Sequence, residues 1–250
     1  MTPEPIPVRS PSMLECRNCG AGAPVDEHFC PQCSRILALG RHGDYFTFLG
    51  LPRKLLIDPQ DLERRFRDLS RKFHPDYFYN ATSGERLASL ERSSYLNDAY
   101  RALKNPVSRI EHLLAIEGLP SARSDDPSTG SGQTPAKVPP SLLEEVFALN
   151  EELDEIRALR ESGEDSEPLL ARLANARKPI DAKRDEHERQ LQELSARWDS
   201  QEQAPAAEKR ATLTALRERL LERNYINNLL ATIEREGSGL QPQTSLSPKP

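Results

Sequence analysis

The stretch DPQDLERRFRDLSRKFHPD, residues 58–76, decides the fold of this chain. Leu62, Phe66, Leu69 and Phe73 recur at helical spacing and form one apolar stripe. Arg64, Arg67, Arg71 and Lys72 fall on or near the opposite face, so the helix is amphipathic and strongly basic. Asp58 is a good N-cap and Pro59 suits the first helical position. The far end is fixed as well: proline pushes the residue before it out of the α region, so the helix must stop before Pro75. His74 can donate or accept a hydrogen bond, and Asp76 can accept from a partner's arginine.

Working outward, a second helix follows over Leu87 to Lys104, with Leu96, Ala99, Tyr100 and Leu103 as core candidates. Two antiparallel helices would then present His74-Pro75-Asp76 at their joined end. A basic helix running into His-Pro-Asp resembles the J-domain, the part of a DnaJ-type co-chaperone that docks on a DnaK-type ATPase. The wider pattern is more specific. Asp44-Tyr45-Phe46, Leu49-Gly50-Leu51, the basic helix, His74-Pro75-Asp76, Ala99-Tyr100 through Leu103, Pro106, Arg109 and Leu113-Leu114 together look like HscB, the J-protein family of iron–sulfur cluster assembly. Ile110 and His112 stand where many relatives carry Ala and Tyr. They fall in a packing helix, and His112 reads as a packing or surface residue rather than a ligand.

Composition agrees with a helical protein. Of 250 residues, 36% are hydrophobic, 29% charged and only 6% aromatic, and β-branched runs are nearly absent, which excludes a large sheet. No apolar run approaches the roughly 20 residues of a membrane span. The proline-rich start lacks the apolar core of a secretory signal. A cytoplasmic protein is the expectation. The net charge of −5 argues against nucleic acid or an acidic membrane as partner. The basic helix face is local and calls for a local acidic surface.

All four cysteines lie in one segment: Cys16, Cys19, Cys30 and Cys33, spaced C-x2-C-x10-C-x2-C. Each close pair can grip a metal from a tight turn, and the two pairs complete a tetrahedron. Gly20 suits such a turn. The spacing resembles a small zinc ribbon, and structural Zn is the expected occupant, with Fe the open alternative. Disulfides are disfavoured in a reducing compartment. A catalytic metal needs an open position, which four thiolates remove. His28 is expected in a surface loop.

In the C-terminal half, Leu142, Val146, Leu149, Leu153 and Ile156 make a narrow helical stripe. Leu143 and Phe147 lie outside it, on a flank continuing through Glu151 and Glu155. That flank is either a partner surface or is covered by another helix. A second segment carries Leu169, Leu173, Ala176, Ile180, His187, Leu191, Leu194 and Trp198, and Pro179 should kink or break it. A third carries Leu213, Leu216, Leu220, Ile226, Leu230 and Ile233, with Leu221, Tyr225 and Leu229 beside them. An antiparallel bundle of about three helices follows. The run from Leu142 to Ile156 again resembles HscB, at the start of its client-binding domain. The resemblance implies that Leu143, Phe147, Glu151, Glu155 and Tyr225 grip the scaffold protein on which clusters are built. Glu144 and Ala148 depart from some relatives, which carry Met and Glu there. A cysteine module precedes the J-domain in only some members of the family.

The expected organisation is mainly α. A disordered lead over 1–13 precedes a four-cysteine module over 14–40 and a J-domain hairpin over 44–118. A flexible linker over 119–140, a client-binding helical bundle over 141–236 and a disordered tail over 237–250 complete it. No nucleophile motif, paired catalytic carboxylates or phosphate loop is present, so an enzyme is not expected. The resemblance implies two partners, an HscA/DnaK-type chaperone and an iron–sulfur cluster scaffold protein. His74, Pro75, Asp76, Arg64, Arg67, Arg71 and Lys72 would meet the chaperone. The rivals are a general DnaJ-like co-chaperone with other clients, a zinc-ribbon binding module, and a redox or metal enzyme using the cysteines.

Overall fold

The computed structural model describes residues 13–40, 43–120 and 138–240. The expected lead, apart from Met13, lies outside these residues. So do most of the linker (121–137) and the last ten positions of the tail. The chain forms two compact units, Met1–Gly118 and Leu119–Pro250.

The first unit begins with an antiparallel pair, β1 (Met13–Glu15) and β2 (Gly22–Pro24), in the register Met13↔Pro24, Leu14↔Ala23 and Glu15↔Gly22. Met13 therefore belongs to a strand, not to a disordered lead: pairing with Pro24 holds it. Helix α1 (Tyr45–Phe48) starts on Asp44, whose side chain accepts from the Phe46 and Thr47 N–H groups. Helix α2 (Pro59–Phe73) starts on Asp58, which accepts from the Gln60 N–H, and ends at Phe73. His74 leaves with ψ near 127°, the extended value that proline imposes on its predecessor. One 3-10 turn, Pro75–Phe78, follows.

Helix α3 (Ser83–Lys104) begins four residues before Leu87, because Thr82 and Glu85 form a reciprocal capping box. It runs antiparallel to α2: the Phe66 and Tyr100 rings stack 4.2 Å apart, and Ser89 and Ser93 meet the carbonyl of Phe73. Helix α4 (Pro106–Ile116) is capped by Asn105. From it, buried Arg109 donates to the Leu103 and Leu55 carbonyls and ties down the loop before α2. His112 is a packing residue. Its ring stacks on Tyr45 at 4.2 Å, and its Nε2 accepts from the Tyr45 N–H.

The second unit is α5 (Leu143–Glu161), α6 (Ser166–Ser200) and α7 (Ala206–Leu240). Ion pairs between Glu145 and Lys183, and between Glu152 and Arg172, place α5 antiparallel to α6. Arg177–Glu234 and Arg219–Gln190 contacts place α7 antiparallel to α6. Leu142, Val146, Leu149, Leu153 and Ile156 close on Leu169, Leu173 and Ile180 of α6 and on Ile226, Leu230 and Ile233 of α7. Helix α6 passes through Pro179 without ending. Val138, inside the expected linker, already packs on this core.

The tail is corrected too. Gly237–Leu240 continue α7, although Gly and Ser are poor helix formers. Leu240 is buried in the core, and Gly237 lies so near Leu173 that a Cβ would meet its Cδ2 at 3.2 Å. Tertiary burial outweighs propensity there. Among the described residues, no helix is long and apolar enough to cross a membrane.

Candidate functional site

Three constellations bear chemistry. The first is the end of the α2–α3 hairpin. The carbonyl of Phe73 is one of the oxygens that a helix terminus leaves unpaired. Ser89 Oγ donates to it at 2.6 Å and Ser93 Oγ at 3.0 Å. This double anchor fixes the point where the chain leaves α2. Beyond it, the His74 side chain is 52% exposed and that of Asp76 is 87% exposed. The Asp76 N–H donates to His74 Nδ1 at 3.3 Å, which sets the ring against the turn and leaves the Asp76 carboxylate in solvent. Tyr77 and Tyr79 are exposed on the same turn. Sequence reading passed over both tyrosines, because turn residues carry no periodic signal.

Arg64, Arg67, Arg71 and Lys72 are exposed along α2. Each of the three arginines pairs with an acid one turn back, Asp61, Glu63 and Asp68 respectively. Exposed pairs of this kind contribute about 0–1 kcal/mol, so the guanidinium groups can change partners at little cost.

The second constellation is the cysteine cluster. Two similar turns build it. In the first, the Gly20 N–H donates to the Cys16 carbonyl and the Cys16 N–H to that of Ala21. In the second, the Ser34 N–H donates to the Cys30 carbonyl and the Cys30 N–H to that of Arg35. Gly20 and Ser34 occupy equivalent positions with φ of 73° and 57°. The four Sγ atoms lie within 4.8 Å of one another, with Cys16–Cys33 at 3.6 Å and Cys19–Cys30 at 3.7 Å. A tetrahedral ion with metal–sulfur bonds of about 2.3 Å needs sulfurs roughly 3.8 Å apart, so the cluster fits one. All four thiols are free. The Arg35 N–H, aimed at Cys33 Sγ, lowers that thiol to about 6. Four thiolates would leave a bound ion no open position, which is compatible with a structural metal site.

His28 is not in a surface loop. Its ring packs edge-on against Phe48 at 4.8 Å and Phe73 at 5.0 Å. Its Nδ1 accepts from Arg92 at 2.8 Å, so its Nε2 carries the proton given to the Phe48 carbonyl at 3.1 Å. Arg92, on α3, is fully buried. It also donates to the carbonyls of Leu37, Glu27 and Ala38. Desolvation lowers its pKa to about 10. Sequence reading gave no sign of this arginine, since nothing in a polar helix marks one charge for burial.

The third constellation is on α5. Phe147 is 70% exposed and Leu143 39% exposed, so no helix of the unit covers this flank. Glu151 and Glu155 extend it, the latter paired with Arg172. Tyr225, on α7, is half-buried against the core.

No family model matches the chain. Solved structures do. The crystal structure of human co-chaperone protein HscB superposes with a TM-score of 0.57 at 25% identity, over 89% of this chain and 98% of that one. The chain has the HscB fold. Chaperone HscB from Vibrio cholerae gives a TM-score of 0.54 at 26% identity, over 79% of this chain and all of that one. Both HscB structures are matched across nearly their whole length, so the likeness spans more than the J-like hairpin.

Proposed function

We propose that this chain is a J-type co-chaperone of iron–sulfur cluster assembly and not itself an enzyme. It binds a cluster scaffold protein and delivers it to an HscA/DnaK-type chaperone, whose ATPase it stimulates. The observation that carries this reading is the His74–Asp76 turn. It is anchored through Phe73, open to solvent and flanked by a basic face, in a chain with the HscB fold. Arg64, Arg67, Arg71 and Lys72 attract an acidic surface, while His74, Pro75 and Asp76 make the specific contact. Client and J-like hairpin then both bias the chaperone toward one conformational state.

The exposed flank of Leu143, Phe147, Glu151 and Glu155, with Tyr225, is our assignment for the scaffold surface. An apolar pair standing in solvent with acids beside it suits a partner interface better than a core. Zinc is our assignment for the cysteine cluster, on the strength of its four-thiolate donor set. A four-thiolate metal site of this kind suits a reducing compartment such as the cytoplasm.

The test is His74→Gln. It should abolish chaperone stimulation and leave scaffold affinity unchanged. Loss of both activities, or of neither, would overturn the assignment.

A further inference from the structure

The last residue before the exposed turn, Phe73, is fully buried; the Phe48 ring of α1 lies 6.0 Å from it, and two residues of the cysteine module pack on it as well. The His28 ring stands edge-on to it at 5.0 Å and the Phe29 ring lies 6.0 Å away. The Arg92 guanidinium lies 5.8 Å from the centre of the same ring. That guanidinium donates to His28 Nδ1 and to three carbonyls of the segment Glu27–Ala38. These acceptors surround Cys30 and Cys33 in the chain. They lie on the two arms of a hairpin, paired at Phe29–Ile36 and by the Leu37 N–H to the His28 carbonyl, that the second cysteine turn closes. A fully buried guanidinium that lost them would be left with unpaired donors, a costly state.

We propose that the four-cysteine module is a metal-dependent clamp on the His74-Pro75-Asp76 turn, with Arg92 and His28 as the positioning residues that transmit metal occupancy to Phe73. Metal orders the cysteine turns, the turns present carbonyls and His28 to Arg92, and this cluster packs Phe73 beneath the turn. The contribution to chaperone docking rests on the co-chaperone reading above; the coupling itself does not. Coupling is reciprocal, so what metal does to the turn, Arg92 must do to the metal.

Two measurements on the full-length chain loaded with Zn2+ test this. The first is amide hydrogen exchange in the last turn of α2 and at Tyr77, before and after metal is stripped by a chelator. Exchange should quicken about tenfold or more. The second is the rate of metal transfer to an excess of chromogenic chelator in Arg92→Met, which should rise by a similar factor. Arg92→Lys, which keeps the charge but not the planar fork, should fall between it and the parent chain. Unchanged exchange after metal removal would overturn the proposal, as would metal loss at the parent rate in both variants. The exchange comparison needs no substitution, so a variant that failed to fold would not remove the test. Neither readout involves a chaperone. Absence of ATPase stimulation in a chain with intact coupling would therefore count against the co-chaperone reading alone.

Discussion

Ser89 Oγ lies 2.6 Å from the carbonyl oxygen of Phe73, a hydrogen bond buried between α2 and α3. It joins the end of the basic helix, one residue before His74, to the second turn of its antiparallel neighbour. The geometry of the exposed turn thus rests on a serine hydroxyl in a helix interior. Ser93 supports it from the next turn.

Removing both hydroxyls should show this. Ser89→Ala with Ser93→Ala leaves the Phe73 carbonyl buried without a donor, which costs about 1–3 kcal/mol. Thermal unfolding of the double variant should show the loss. Either single variant keeps one donor and should lose less.

The exposed flank of α5 predicts a separation of stability from binding. Phe147→Ala should shift unfolding by no more than about 0.5 kcal/mol, since most of the ring is already in water. It should nevertheless weaken scaffold binding, as titration calorimetry would register. Leu153→Ala, in the core of the same helix, should cost about 2–5 kcal/mol.

The second cysteine turn holds Ser34 at φ of 57°, where Gly20 serves in the first. A non-glycine residue in this region costs about 1–2 kcal/mol. Ser34→Gly should therefore leave metal affinity equal or higher, measured by competition with a chelator. A tenfold loss of affinity would mean that the serine side chain does something the backbone geometry does not require.

His187 gives a pH dependence. It is buried in α6, its Nε2 has no hydrogen-bond partner, and Glu222 Oε2 stands 3.9 Å away. Burial pushes its pKa below the ordinary 6.5, more than the Arg219 backbone and Glu222 raise it. The unfolded chain then takes up a proton near pH 6.5 that the folded chain refuses. Stability is full above that pH, falls as the pH drops toward the folded value, and levels below it. Unfolding followed by the fluorescence of Trp198, the single tryptophan and on the same helix, should show this decline. His187→Gln should flatten it.

The legible parts of the fold were those with a local period or a local cap. The stripe Leu62, Phe66, Leu69 and Phe73, closed by Asp58-Pro59 and Pro75, defines α2 from the sequence alone. The three C-terminal stripes were equally plain. The start of α3 was readable but missed: Thr82 followed by Glu85 is a capping box. What no local rule could reveal was long-range. Arg92 is buried because acceptors more than fifty residues away in the chain meet it, and one of those acceptors, His28, is held half-buried by the same contact. The helical Gly237–Leu240 depend on space beside Leu173. At the candidate site, the cysteine spacing sufficed to bring four sulfurs together. The exposure of Phe147 needed the packed bundle to decide it.

The central claim is that the His74–Asp76 turn and the α5 flank act on one chaperone. Single-turnover ATP hydrolysis by the host's HscA/DnaK-type chaperone tests it most directly, with this protein present, with and without the cluster scaffold. The account predicts stimulation by the protein alone and a further, more than additive, rise when the scaffold is added. Stimulation that the scaffold leaves unchanged would contradict the iron–sulfur assignment, and no stimulation at all would contradict the co-chaperone reading itself.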